Sequence, residues 1–251
     1  MSTLLEVSAL SKHFGGLHAL RDVTFSLSQG EIVGILGPNG AGKTTLYNLL
    51  TGFIPADSGS VVFKGRSLRG LAPYRIAGLG VSRTFQLCRP FVGMTVFENV
   101  VVGGLGAHSR ERARLDAHAQ ALLEQVGLAG KERLPVETLS YGDQRRLEIA
   151  RALAARPSLL LLDEPFAGLG SGEIADLSAL IRQVHAEQEL TVMLIEHKLH
   201  EFMRLVGRVI ALDFGEVIAS GAPEDIVRHP AVIEAYIGRS EDQFEEHVDA
   251  A

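Results

Sequence analysis

The sequence predicts an α/β fold: a mostly parallel core sheet, an added antiparallel β layer and an inserted helical subdomain. Three observations predict it. Short apolar runs at 31–36, 158–162, 191–195 and 208–212 have the density of strands buried on both faces. Helical stripes alternate with them, at 46–50 after the first run and at Ile174, Leu177, Leu180, Ile181 and Val184 after the second. Strands that alternate with helices imply parallel pairing with right-handed crossovers. From about Thr84 to Pro157 no further buried strand stands out, and the helix patterns 109–127 and 144–155 fill the gap.

The remaining elements lie toward the ends. Residues 4–10 and 59–64 read as shorter, half-exposed strands of the antiparallel layer. The expected organisation is one domain over 1–239, with a core at about 1–85 and 158–239 and the helical subdomain at about 86–157. Residues 240–251 carry Glu241, Asp242, Glu245, Glu246 and Asp249 with no Lys or Arg, which reads as a solvated acidic tail.

Composition removes several function classes. The chain has 251 residues and a net charge of −6, from 24 Lys and Arg against 30 Asp and Glu. With 46% hydrophobic and 22% charged residues it can bury a core, so it is neither disordered nor collagen-like. Its single cysteine, Cys88, excludes an intrachain disulfide and a four-cysteine zinc site, and suits a reducing compartment. Residues 1–12 lack the basic-then-apolar pattern of a secretory signal. No apolar run approaches the roughly 18–20 residues that span a bilayer. The acidic balance argues against nucleic acid as a partner, because phosphate backbones are met by basic patches.

The sharpest motif is Gly37-Pro38-Asn39-Gly40-Ala41-Gly42-Lys43-Thr44, which fits G-x-x-x-x-G-K-[ST] between a predicted strand and a predicted helix. Glycines let the backbone curl so that several N–H groups face phosphate oxygens, and the following helix adds its N-terminal partial charge. Lys43 is expected to bridge the β- and γ-phosphates, the Thr44 hydroxyl to hold Mg²⁺, and Thr45 to reach the α-phosphate. A second element, Leu159-Leu160-Leu161-Leu162-Asp163-Glu164, sets two carboxylates at a strand's carboxyl end, where parallel sheets place ligands. Asp163 is expected to orient Mg²⁺ and Glu164 to polarise a water that attacks the γ-phosphate. His197 and His200 are spaced i, i+3, but two histidines without a third ligand make a poor metal site.

With these motifs in place, the chain resembles the ATP-binding subunit of ABC transporters. Leu139-Ser140-Tyr141-Gly142-Asp143-Gln144 resembles that family's signature, and Arg145–Leu153 the helix that carries it. Gln86 sits where the family has its loop glutamine, a Mg²⁺ and water ligand; His197 matches the switch histidine and Phe14 the aromatic that stacks on adenine. The resemblance implies Mg-ATP hydrolysis by Lys43, Gln86, Glu164 and His197. It also implies that Ser140 and Gly142 complete the site of a second ATPase subunit, in a homo- or heterodimer. The sequence Ser82-Arg83-Thr84-Phe85-Gln86, the Tyr-Gly-Asp signature and the ending Val232–Gly238 are similar to ATPases of branched-chain or other hydrophobic amino-acid importers.

For that branch the implied partners are two transmembrane permeases and, indirectly, a periplasmic or extracellular solute-binding protein. The implied location is peripheral, at the cytoplasmic face of the inner membrane. ATPases of urea or amide importers and of lipopolysaccharide export resemble the chain as well; a soluble, non-transport ABC ATPase is the remaining alternative. One departure stands out: Gly168-Leu169-Gly170 has glycine where the family usually has an aspartate.

Overall fold

The computed structural model describes residues 2–105 and 112–237. The acidic segment 240–251, and residues 109–111 of the helix expected at 109–127, lie outside the described residues. The first strands are β1 Thr3–Phe14, β2 Leu17–Ser28, β3 Ile32–Leu36, β4 Ser58–Phe63 and β5 Arg66–Ser67. Then come β6 Val81–Arg83, β7 Leu159–Asp163, β8 Thr191–Ile195, β9 Arg208–Asp213 and β10 Glu216–Gly221. The first helices are α1 Lys43–Leu50, α2 Pro73–Gly78, α3 Val96–Gly104, α4 Arg112–Gln125 and α5 Tyr141–Ala154. The last are α6 Ser171–Gln188, α7 Leu199–Leu205, α8 Pro223–Ile226 and α9 Pro230–Ile237. The chain is of the α/β class, and its contacts divide it into two compact units.

The first unit holds the residues up to Pro73 and those from Thr191 onward. In it, β3 lies between β8 and β9 and is parallel to both, with β10 antiparallel to β9. Val33, Ile35 and Leu36 of β3 are buried, as are all five residues of β8, so this unit has a core on both faces of its parallel strands. The separate antiparallel sheet runs β2-β1-β4-β5. Here β2 is longer than the 17–28 sequence suggests to a period-2 reading. Its buried side chains are Leu20, Val23 and Leu27, spaced three and four apart like a helix face. Register shifts in the β1–β2 pairing, with Ala9 and Asp22 at positive φ, produce that spacing.

The second unit spans Tyr74–Leu190. Its parallel pair β6–β7 aligns Val81 with Leu159, and every residue of β7 is buried. The four leucines of β7 contribute about 1.5–3 kcal/mol each on burial. The stripe Ile174, Leu177, Leu180, Ile181 and Val184 is the buried face of α6, as its periodicity requires. Helix α3 opens with a capping box, in which Thr95 accepts from the Glu98 N–H and the Glu98 side chain accepts from the Thr95 N–H. Helix α5 starts at Tyr141, three residues earlier than the apolar pattern of 144–155 indicates, because Ser140 caps it.

Candidate functional site

In the first unit the glycine-rich loop joins β3 to α1. A β-carbon on Gly37 would lie 2.3 Å from the Leu212 carbonyl oxygen, and one on Gly42 2.5 Å from that of Ala19. Gly42 also sits at φ 101°, so neither position admits a side chain. The Lys43 ammonium is buried within the loop and donates to the carbonyls of Gly37 at 2.6 Å and Pro38 at 3.0 Å. Thr44 is exposed on the first turn of α1 and Thr45 is half-buried beside it. Helix α1 is fixed from below: the Tyr47 hydroxyl donates to the Met193 carbonyl of β8 at 2.6 Å. Two further bonds tie the loop down, from the Gly215 N–H to the Ala41 carbonyl at 3.1 Å and from the Ala41 N–H to that of Pro38 at 3.1 Å. Asn39 and Gly40 stay exposed at the loop tip.

The same unit carries Phe14, 51% exposed at the β1–β2 hairpin, with the Lys12 ammonium 5.4 Å from its ring centroid. Lys12 is in turn held by Asp57 at 2.8 Å. An exposed aromatic face of this kind is available for stacking on a base. His197 is exposed just beyond β8, and its backbone N–H donates to the buried Glu196 carboxylate at 3.0 Å. Glu196 also accepts from the Lys198 N–H at 3.4 Å, so it fixes the turn that presents His197.

Sequence reasoning missed Tyr236. Its hydroxyl accepts from the Gly37 N–H at 3.1 Å and so ties α9 to the loop. Burial pushes this phenol up to about 12, which keeps it neutral. Its sequence signal is its place in the ending Val232–Gly238, which carries the family resemblance but assigns this residue no role. Tyr236→Phe is expected to leave the buried Gly37 amide without that acceptor and to lower stability by about 1–3 kcal/mol. Urea unfolding reads this as a lower midpoint at unchanged slope.

In the second unit, β7 ends in Asp163, and Glu164 follows it directly. Asp163 is buried and pairs with Arg83 of β6 at 2.7 Å; its own N–H donates to the Thr84 hydroxyl at 3.3 Å. Arg83 is the other residue that sequence reasoning left without a role. Glu164 adopts φ 49°, unusual for a non-glycine residue, and accepts from the Gln86 side-chain amide at 2.9 Å. Backbone strain of about 1–3 kcal/mol at such a position is characteristic of functional sites. Gln86 and Glu164, distant in sequence, are thus brought into direct contact.

The signature residues form the N-terminus of α5. The Ser140 hydroxyl accepts from the Asp143 N–H at 3.2 Å, and Lys131 pairs with Asp143. Gly142 lies in the first turn, where a β-carbon would come within 2.5 Å of the Glu173 carboxylate. Glu173 in turn accepts from the Gly170 N–H at 3.0 Å, so α6 is capped without the aspartate absent at Gly170. Helix α5 therefore offers a serine hydroxyl, first-turn amides and a positive dipole end, a set suited to phosphate. Among the described residues no cluster of three or more His, Cys, Asp or Glu could hold a metal by itself, and His197–His200 is no exception.

A family model described as ABC transporter matches residues 20–167, more than half of the chain. A second, described as branched-chain amino acid ATP-binding cassette transporter, matches residues 216–242. The chain is 41% identical over 251 aligned residues to a Salmonella typhimurium protein named high-affinity branched-chain amino acid transport ATP-binding protein LivG, covering 94% of this chain and 98% of that one. Among solved structures it is similar to the ADP conformation of MJ1267, an ATP-binding cassette of an ABC transporter, at TM-score 0.86 and 30% identity. That match covers 95% of this chain and all of the other. It is also similar to a dimeric bacterial ABC transporter cassette, MJ0796, at TM-score 0.79 and 25% identity over 88% of this chain and 99% of that one. Glycine-rich loop, carboxylate pair and capped signature helix thus agree with full-length similarity, and the chain belongs to the ATP-binding proteins of the ABC transporter family.

Proposed function

We propose that this chain is the ATP-hydrolysing subunit of a transporter that takes up branched-chain or other hydrophobic amino acids. The match of residues 216–242 to the branched-chain amino acid cassette carries the substrate class. The chemistry rests on the loop around Lys43 and on the contact between Gln86 and Glu164.

Catalysis of this kind is mostly positioning and charge stabilisation. Lys43 and the loop amides hold the β- and γ-phosphates, and Phe14 stacks on adenine. Thr44, Asp163 and Gln86 would hold Mg²⁺, a set of hard oxygen donors that fits this ion. When bound, the ion neutralises charge on the phosphoryl oxygens. Glu164 polarises the attacking water, and His197 supports the same water and the departing phosphate. Ser140 and Gly142 face the γ-phosphate held by a second ATPase subunit, so the working unit is a dimer with two shared sites.

Phe85, Leu87, Phe91, Val92 and Met94 are large apolar side chains exposed in one short segment around Gln86. They support a seat for cytoplasmic helices of two permeases, and with it a peripheral location at the inner face of the membrane. A solute-binding protein acts on the far side and never touches this chain. Among the described residues no helix is long and apolar enough to cross a membrane.

The test is a tagged pull-down from native membranes in mild detergent, with mass spectrometry of what co-purifies. Two hydrophobic permeases, a second ATPase and amino-acid-stimulated turnover are the expected outcome. Export permeases with a lipopolysaccharide bridge protein would reassign the system, as would turnover stimulated by urea alone. Loss of every membrane partner would remove the transporter reading.

A further inference from the structure

Helix α5 carries a buried charged network for which the reaction above has no use. Arg145, Glu148 and Arg151 lie three residues apart on one face of the helix, and Arg145 is only 2% exposed. Their partners are the backbone groups of residues 85–89, a segment that is neither strand nor helix. The Glu148 carboxylate accepts from the Phe85 N–H at 2.9 Å and from the Cys88 thiol at 3.4 Å. Burial pushes that thiol up to about 12, so it stays an S–H donor. The Arg145 guanidinium donates to the carbonyls of Gln86 at 2.8 Å and Phe85 at 3.3 Å, and pairs with Glu148 at 3.3 Å. Arg151 adds a bond to the Arg89 carbonyl at 2.9 Å.

The same guanidinium reaches the signature. Arg145 donates to the Tyr141 hydroxyl at 2.8 Å and lies 5.3 Å from its ring centroid. One side chain thus holds the backbone of Gln86 and the second residue after the signature leucine. A loop without secondary structure must place its buried N–H and C=O groups somewhere, and here α5 supplies every partner just named. Stability alone does not require charges for this. A buried ion pair roughly breaks even against an apolar pair of the same volume. What the pair adds is direction: a planar fork and a two-oxygen acceptor fix the loop backbone far more narrowly than apolar packing.

We propose that Arg145 and Glu148 are positioning residues for Gln86, locking its loop to the signature helix so that its side chain meets Glu164. The inference rests on the hydrolytic role of Gln86 given above and extends it. Motion of the signature helix is then passed to Gln86 directly, through bonds rather than through loose packing.

The test uses the purified full-length chain, reading ATP turnover and equilibrium binding of a fluorescent ATP analogue. Arg145→Lys keeps the charge but lacks the fork. It is expected to lower kcat about tenfold with nucleotide Kd changed less than twofold, because the phosphate loop is untouched. Gln86→Ala is the reference, and Arg145→Lys added to Gln86→Ala is expected to cost less than a further twofold. A residue that acts only through Gln86 has nothing left to lose in that background.

Losses that multiply in the double variant overturn the inference, as does wild-type kcat in Arg145→Lys. Wild-type turnover of Gln86→Ala by itself would remove the role of Gln86 and this inference with it. A multiplied loss beside an impaired Gln86→Ala removes the inference alone. Should Arg145→Lys not fold, Glu148→Gln enters the same cycle, since it retains an acceptor for the Phe85 N–H while losing the charge that faces Arg145.

Discussion

Replacing Glu164 with glutamine is expected to slow ATP turnover by about 10²–10⁴-fold, the usual contribution of a general base, while ATP affinity changes less than twofold. The two expectations separate because they depend on different residues. In the proposed site, affinity rests on the loop from Gly37 to Thr45 with Lys43 at its centre, where the Gly37 and Pro38 carbonyls hold the ammonium. Turnover depends on a carboxylate that can polarise water. Glutamine has the same shape, and its amide oxygen can still accept from Gln86, whose amide nitrogen now lies 2.9 Å from Glu164. The strained φ of 49° at this residue is set by the turn after β7, not by its charge, so the backbone is retained. Phosphate release and equilibrium nucleotide binding measure the two quantities directly. A dimer that persists in ATP during gel filtration is the accompanying result, since bound nucleotide is no longer consumed. Hydrolysis within threefold of wild type would mean that another group activates the water.

Much of this arrangement was legible in the residues. The loop at 37–44, the acids after β7 and the stripe of α6 each have a local cause: required glycines, a doubly buried strand, and a period of 3.6. What escaped has non-local causes. Strand β2 is disguised by register shifts, which impose a helix-like spacing on Leu20, Val23 and Leu27. Strand β6 is only three residues long, and its pairing with β7 joins Val81 to Leu159. No window of sequence contains both. The roles of Tyr236 and Arg83, though both lie in segments that carry the resemblance, are invisible for the same reason: each comes from a partner far along the chain, Gly37 for one and Asp163 for the other. The motifs already pointed to the family that the full-length similarity shows, whereas the contact of Gln86 with Glu164 came from the fold itself.

Arg83→Met is expected to lower the free energy of unfolding by about 3–5 kcal/mol, the cost of leaving a buried carboxylate without its counter-ion. Distance alone would not predict this. Arg21 and Glu216 are paired at 3.0 Å, close to the 2.7 Å of Arg83 and Asp163. Yet their side chains are 56% and 49% exposed, against 5% and 4% for the buried pair. Water replaces a lost partner at the surface, so Arg21→Met is expected to cost no more than about 1 kcal/mol. At Asp163 no such replacement exists, and Met fills the volume of the arginine stem without offering a donor. The double variant Arg83→Met, Asp163→Asn removes the orphaned charge and is expected to recover about 0.5–3 kcal/mol of the single-variant loss. Urea unfolding of the nucleotide-free chain measures all three variants on one scale, with constant slope as the check that only stability has changed. Equal midpoints for Arg83→Met and Arg21→Met would place the Asp163 carboxylate in water and rule out the buried pair.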